Sequence, residues 1–202
     1  MRSTAIWRIS VAVAIAVIGG VTLGSLFGGE GEDSPPSAAG QRLSKYEAIP
    51  LKGKGASEAD EAMDGGRLIA AAEAGRARLF FYVEGKRCGV YVTSPDPKKV
   101  EDRINLLAGA PEDVEPDDDS VPGGPYMKAS ISGGVSGKPA PAATLACADG
   151  TMYVEYDAAE RAKATNPTGP VAVADSGENP GSTVFVVGRD STRQAVLEKV
   201  AG

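Results

Sequence analysis

"RLFFYVEGKRCGVYVTS", residues 78–94, decides the fold. Two apolar runs flank the short charged segment Glu84-Gly85-Lys86-Arg87. A two-residue turn there puts Gly85 at the first central position, where a type II′ turn requires positive φ and glycine supplies it without strain. That turn pairs Val83 with Cys88, Phe81 with Val90 and Leu79 with Val92. Successive strand residues point to opposite faces, so these six share one wholly apolar face. Phe80, Tyr82, Gly89 and Tyr91 fall on the other. A slip by one residue would mix the two sets, so the register is firmly specified. Cys88 therefore faces the core.

The second cysteine has similar surroundings. In "TLACADGTMYVEYD", residues 144–157, Asp149-Gly150 is a strong signal for a type I′ hairpin. Its register pairs Cys147 with Met152 and Leu145 with Val154, again on one apolar face. Two buried free cysteines would serve as small hydrophobes in a reducing compartment, whereas an oxidising one would join them.

The N-terminus indicates the compartment. Arg2 and Arg8 precede an uncharged run from Ile9 to Phe27, and Glu30, Glu32 and Asp33 follow it. At about 1.5 Å per residue the run spans roughly 28 Å, close to the roughly 30 Å of a bilayer's hydrocarbon core. Positive charge before it and acidic residues after it predict a cytoplasmic segment 1–8, a transmembrane signal-anchor 9–27, and a remainder outside the cytoplasm. Cleavage near Ser37-Ala38-Ala39, giving a secreted form, is the alternative. Either route leads to an oxidising environment, so a Cys88–Cys147 disulfide is expected.

Of the 21 basic residues, Arg2 and Arg8 alone precede the end of the anchor, whereas all 27 acidic ones follow it; the part beyond carries a net charge of −8. That argues against nucleic acid as a partner, and against a basic patch for anionic membranes. Residues 28–56, rich in Gly, Ser, Pro and charge, read as a flexible linker, and 57–202 as one extracytoplasmic domain. Within it, Ser57 reads as the cap of a helix running to about Gly75, with Met63, Leu68, Ile69 and Ala72 as its stripe. A second helix is expected after the Asp96 cap, with Val100, Ile104 and Leu107 on one face and Gly109 and Pro111 at its end. Strands are expected at 126–134, 171–174 and 183–188, a polar break at 158–169, and a last helix starting at Asp190 or Ser191 with Val196, Leu197 and Val200 inward. Hairpins dominate. The expected class is α+β: a mostly antiparallel sheet with two or three helices packed on one face.

The sequence contains no histidine, which removes Ser-His-Asp and Cys-His catalysis and the common zinc sites. "SGGVSGKPA", residues 132–140, lacks the glycine spacing of a phosphate loop and places Pro139 where Ser or Thr should hold magnesium. No cofactor is expected, and no catalytic residue is assigned. The acidic stretch from Glu112 to Asp119 has ligand chemistry for calcium, with Asp117, Asp118 and Asp119 as weak candidates, but its spacing is not that of an EF-hand and its prolines resist wrapping an ion. "DSGENPGS", residues 175–182, is longer than a tight turn needs and reads either as a binding loop or as a tolerated insertion. Phe80, Tyr82, Tyr91 and Tyr153 form an interaction face if no helix covers them, and part of the core if one does.

The Ala/Gly/Val-rich composition, N-terminal anchor and acidic linker resemble those of the many uncharacterised membrane-anchored envelope proteins of high-GC Gram-positive bacteria. The resemblance covers anchor, linker and composition and brings no functional residue with it. The expectation is a non-enzymatic binding or interaction module of the cell envelope, held by its membrane helix and partnered by an envelope protein or wall polymer. A small-molecule or calcium-binding sensor and, less favoured, a carboxylate-dependent hydrolase are the alternatives.

Overall fold

A computed structural model describes residues 42–96, 98–99, 102–109, 124, 126–131, 140–158 and 164–200. The expected anchor, the first part of the expected linker and the candidates Asp117, Asp118 and Asp119 lie outside these residues. Among the described residues no helix is long and apolar enough to cross a membrane.

The described residues form two five-stranded antiparallel sheets and two α-helices. Strands β1 (Arg67–Ala74), β2 (Ala77–Glu84), β3 (Arg87–Val92), β4 (Ile104–Gly109) and β8 (Ala164–Thr168) make the first sheet, in the order β4-β3-β2-β1-β8. Strands β5 (Met127–Ile131), β6 (Ala142–Cys147), β7 (Thr151–Asp157), β9 (Val171–Asp175) and β10 (Thr183–Gly188) make the second, in the order β5-β6-β7-β10-β9. The α+β class and the antiparallel pairing agree with the sequence. The placement of helices on one face does not: α1 (Ala56–Met63) packs on the outer face of the first sheet and α2 (Asp190–Val200) on the outer face of the second. Two sheets facing each other bury one face apiece, and each remaining apolar outer face takes its own helix.

Both hairpin registers match the sequence reading. Val83 faces Cys88, Phe81 faces Val90 and Leu79 faces Val92, while Cys147 faces Met152 and Leu145 faces Val154. Gly85 has φ +59°, as a type II′ turn needs. The second turn is not type I′, because neither Asp149 nor Gly150 takes a positive φ. This turn is clasped from outside instead: Leu43 N–H donates to Asp149 O at 2.8 Å, and Arg42 pairs with the Asp149 carboxylate at 2.9 Å.

The two inner faces form one core. Leu79, Phe81 and Val90 of the first sheet meet Leu145, Val154 and Phe185 of the second, all fully buried. The Phe81 and Phe185 rings lie 5.7 Å apart, a distance suited to a tilted aromatic pair. Cys88 on β3 is bonded to Cys147 on β6, with Cα atoms 5.9 Å apart, so the disulfide ties one sheet to the other.

Three helical or irregular expectations give way to strands. Residues 67–74 form β1 rather than the second half of a helix from Ser57; α1 starts at Ala56 and stops at Met63, where Gly66 N–H bonds Met63 O and the chain turns. The alanine-rich run suits a strand covered on both sides, where a larger side chain would not fit: Ala70 and Ala72 face the inter-sheet core while Ala71 packs under α1. Residues 104–109 form β4, with Ile104, Leu106 and Ala108 buried at every second position. Asp96 does accept a bond from Lys98 N–H, at 3.0 Å, but it caps a turn. The expected polar break contains β8, a strand of sequence ATNPT on the sheet edge, where Pro167 needs no ladder partner. Gly169, just after it, has φ +83°, and a Cβ there would stand 2.4 Å from Ile69 O. This close approach admits only glycine.

The expected linker 28–56 overlaps the folded body. Leu43 is buried, Tyr46 packs on the inter-sheet core, and Ile49 N–H donates to Leu68 O at 3.0 Å. Residues 42–49 therefore strap across both sheets.

Tyr156 is buried in the core, and among the described residues its hydroxyl has no hydrogen-bond partner. Burial pushes the phenol up to about 12, with the charges of Asp157 and Asp102 adding to the shift. The raised value means the neutral phenol stabilises fully below pH 10, and that contribution is lost as pH climbs from 10 toward about 12. The loss is about 3 kcal/mol from a shift of two units. Tyr156→Phe is expected to raise stability at neutral pH by about 1 kcal/mol, by removing the unpaired hydroxyl, and to flatten this alkaline limb. Urea denaturation from pH 7 to pH 12 measures both effects; a destabilised variant would mean that the hydroxyl is satisfied.

Candidate functional site

The aromatic face expected from Phe80, Tyr82, Tyr91 and Tyr153 is divided by the architecture. Phe80, Tyr82 and Tyr91 lie on the outer face of the first sheet, beneath Ala59 and Met63 of α1, and are at most 4% exposed. Tyr82 lies across its partner Gly89, where a Cβ would come within 2.2 Å of the ring. Its hydroxyl donates to Asn105 Oδ1 at 2.9 Å, and Asn105 Nδ2 donates to Ala62 O at 3.0 Å, fastening the helix. These three aromatics are core. Tyr153 lies on the other sheet, beside α2.

The outer face of the second sheet is only partly covered. Val196, Leu197 and Val200 of α2 pack over Val184 and Val186 of β10, and the helix ends there. Across β5, β6 and β7 the outward residues Lys128, Ser130, Thr144, Tyr153 and Glu155 border two cavities of about 470 and 260 Å³. Thr144 and Glu155 face each other across β6 and β7, and both line each cavity. They form a saddle between two halves of one groove.

The loop 175–182 makes the far wall, and hydrogen bonds hold it there. Ser176 Oγ donates to Glu155 Oε1 at 2.8 Å, and Asn179 Nδ2 donates to the same oxygen at 2.7 Å. Asn179 N–H in turn donates to Ser176 Oγ at 3.2 Å. Gly177 N–H donates to Val200 O at 3.0 Å, tying the loop to the last turn of α2. Three of these bonds tie the loop to β7 and α2, and the fourth braces it internally.

Glu155 Oε2 is less engaged. Among the described residues it meets the Tyr153 hydroxyl, at 3.5 Å, the outer limit of a hydrogen bond. Burial, reinforced by the charges of Glu155 and Glu178, pushes the Tyr153 phenol up to about 12, so it is a neutral donor at physiological pH. Burial also raises Tyr126, which lines the smaller cavity. Among the described residues the groove thus offers a carboxylate acceptor, a phenolic donor, several hydroxyls and a lysine.

Among the described residues no group of three potential metal ligands converges. A further hollow beside α2 and β9 is bordered by Arg193, whose guanidinium is already engaged by Asp190 and by Gly188 O. The sequence reading picked out Tyr153 and the loop but not Glu155. Its signal was present: a lone carboxylate in mid-strand, on the face opposite Met152 and Val154. Comparison with protein-family models, curated proteins and solved structures gives no match.

Proposed function

We propose that this chain is a single-pass, membrane-anchored envelope protein whose domain outside the cytoplasm binds another envelope component or a wall polymer. The groove on the second sheet carries the reading. Its rim is held by Glu155 through two hydrogen bonds to one oxygen, which suits a preorganised binding surface more than proton transfer. The apolar run Ile9–Phe27 with its flanking charges, and the sheet-to-sheet disulfide, support export. Without histidine, the familiar nucleophilic triads have no base.

A second reading has one observation in its favour. Glu155 and Asp157 are two residues apart on β7, on the same face of the strand, and both line the larger cavity, so two carboxylates border one concave surface, as carboxylate-dependent hydrolysis requires. The engagement of Glu155 by Ser176 and Asn179 weighs against it.

Two measurements test the proposal. The full-length chain is expected to remain with membranes after a high-salt wash, with its domain open to protease from outside. Residues 38–202 are expected to be retained on purified cell-wall sacculi or on solubilised envelope protein, and Thr144→Trp, which fills the saddle, to abolish retention. Retention unaffected by Thr144→Trp would place binding elsewhere on the surface.

A further inference from the structure

The spacing of two groups at the saddle is informative about what the groove takes. The Tyr153 hydroxyl and Glu155 Oε2 lie 3.5 Å apart, a donor and an acceptor that hold each other poorly. A group that both accepts and donates can satisfy the two at once. A hydroxyl does this through one atom, whereas an amide divides acceptor and donor between its oxygen and its nitrogen, ammonium groups only donate, and ionised carboxylates and phosphodiesters only accept. Charge points the same way: among the described residues, Glu155 and Glu178 border the groove with Lys128, and the chain beyond the anchor carries −8, which disfavours an anionic polymer.

Resting on the reading of the groove as a binding site, we propose that it recognises an uncharged polyhydroxylated chain, a neutral glycan segment, with one ligand hydroxyl bridging the Tyr153 hydroxyl and Glu155 Oε2. The two cavities, about 470 and 260 Å³ on either side of Thr144 and Glu155, give such a chain a continuous bed across the strands. Ser176 and Asn179 hold the carboxylate by its other oxygen, so the ligand meets a fixed acceptor and loses less freedom on pairing. Because Tyr153 is kept protonated, the donor is present across the neutral range.

The test uses residues 38–202, isotopically labelled, titrated separately with mannohexaose, cellohexaose and hexa-N-acetylchitohexaose, and with hexagalacturonate and hexalysine as charged comparisons. At least one neutral hexaose is expected to shift the amide signals of Thr144, Glu155 and Ser176. Tyr153→Phe, which keeps the ring and removes the donor, is expected to weaken that binding about five- to tenfold while leaving the rest of the spectrum in place. Saturation by hexalysine or hexagalacturonate in preference to every neutral chain overturns the proposal. So does an unchanged affinity in Tyr153→Phe, or the absence of shifts from any neutral hexaose at about 10 mM, beyond the usual millimolar limit of weak recognition. If Thr144→Trp still abolishes retention on sacculi or envelope protein when no hexaose binds, the groove remains the binding site and only the ligand class fails.

Discussion

Removing the Cys88–Cys147 bond, as Cys88→Ala with Cys147→Ala or by reduction, is expected to lower the unfolding free energy by about 4 kcal/mol. Cross-linking residues 59 apart restricts the unfolded chain, and the chain-entropy relation gives about that figure for a loop of this length. The bond's position adds to its weight. It joins β3 to β6, and so adds a covalent tie across the core to the packing of the two sheets, the strap at residues 42–49 and the β8–β9 connection. Cys88→Ser is expected to cost more than Cys88→Ala, because the 1% exposed site leaves a hydroxyl among apolar neighbours. Urea unfolding with and without reductant measures the difference. Coincident midpoints would show that the bond contributes nothing to stability.

Phe81→Ala is expected to cost about 3–5 kcal/mol. Phe81 sits on β2, has no exposed surface, and faces Phe185 of the opposite sheet across 5.7 Å. Its removal takes away apolar burial and opens a cavity in a core flanked by fixed strands, which collapse poorly around a void. A double-mutant cycle with Phe185→Ala should return a coupling of about 0.5–1.5 kcal/mol for the ring pair itself. Met127→Ala is the comparison: at 50% exposure on the edge strand β5 it should change stability by less than about 0.5 kcal/mol. For a small domain stable by about 5–15 kcal/mol, either large loss brings it close to its folding threshold. Equal effects at Phe81 and Met127 would contradict the placement of the core between the sheets.

The parts of the fold legible in the sequence are those with local causes. Gly85 in the first turn and alternation on both sides fix Leu79–Val92 and Val83–Cys88, and the same holds for Leu145–Val154. Buried cysteines on those faces then imply the staple. What escaped depends on distant partners. Residues 67–74 look helical because alanine has high helix propensity; they become a strand because β2 folds back on them after a two-residue turn and β8, remote in sequence, pairs on the other side. Ile104, Leu106 and Ala108 alternate, but Val100, Ile104 and Leu107 also fit a helical stripe, and only pairing with β3 decides between them. ATNPT has only Ala164 packed on the core and no alternation of large apolar residues to mark it, since β8 lies on an edge. The groove is harder still. Tyr153 and the 175–182 loop were visible singly, whereas Glu155 gains its place when residues 21 and 24 positions away bond to it.

The closure of the first sheet by β8 determines the order in which the molecule can be completed. Glu73 of β1 pairs with Thr165, and Leu43 waits for Asp149, so neither contact exists until most of the chain has been made. The β2–β3 hairpin can form in microseconds once it emerges, yet at about 5–20 residues per second the segment carrying Cys147 follows Cys88 by roughly 3–12 s. For that interval a finished hairpin displays Leu79, Phe81, Val83 and an unpaired thiol with no second sheet to cover them. A nascent chain of this design is a natural client for chaperones that shield apolar β-surface. With two cysteines in the whole sequence there is no incorrect pairing inside one molecule, so premature oxidation can yield only mixed disulfides or linked pairs of chains.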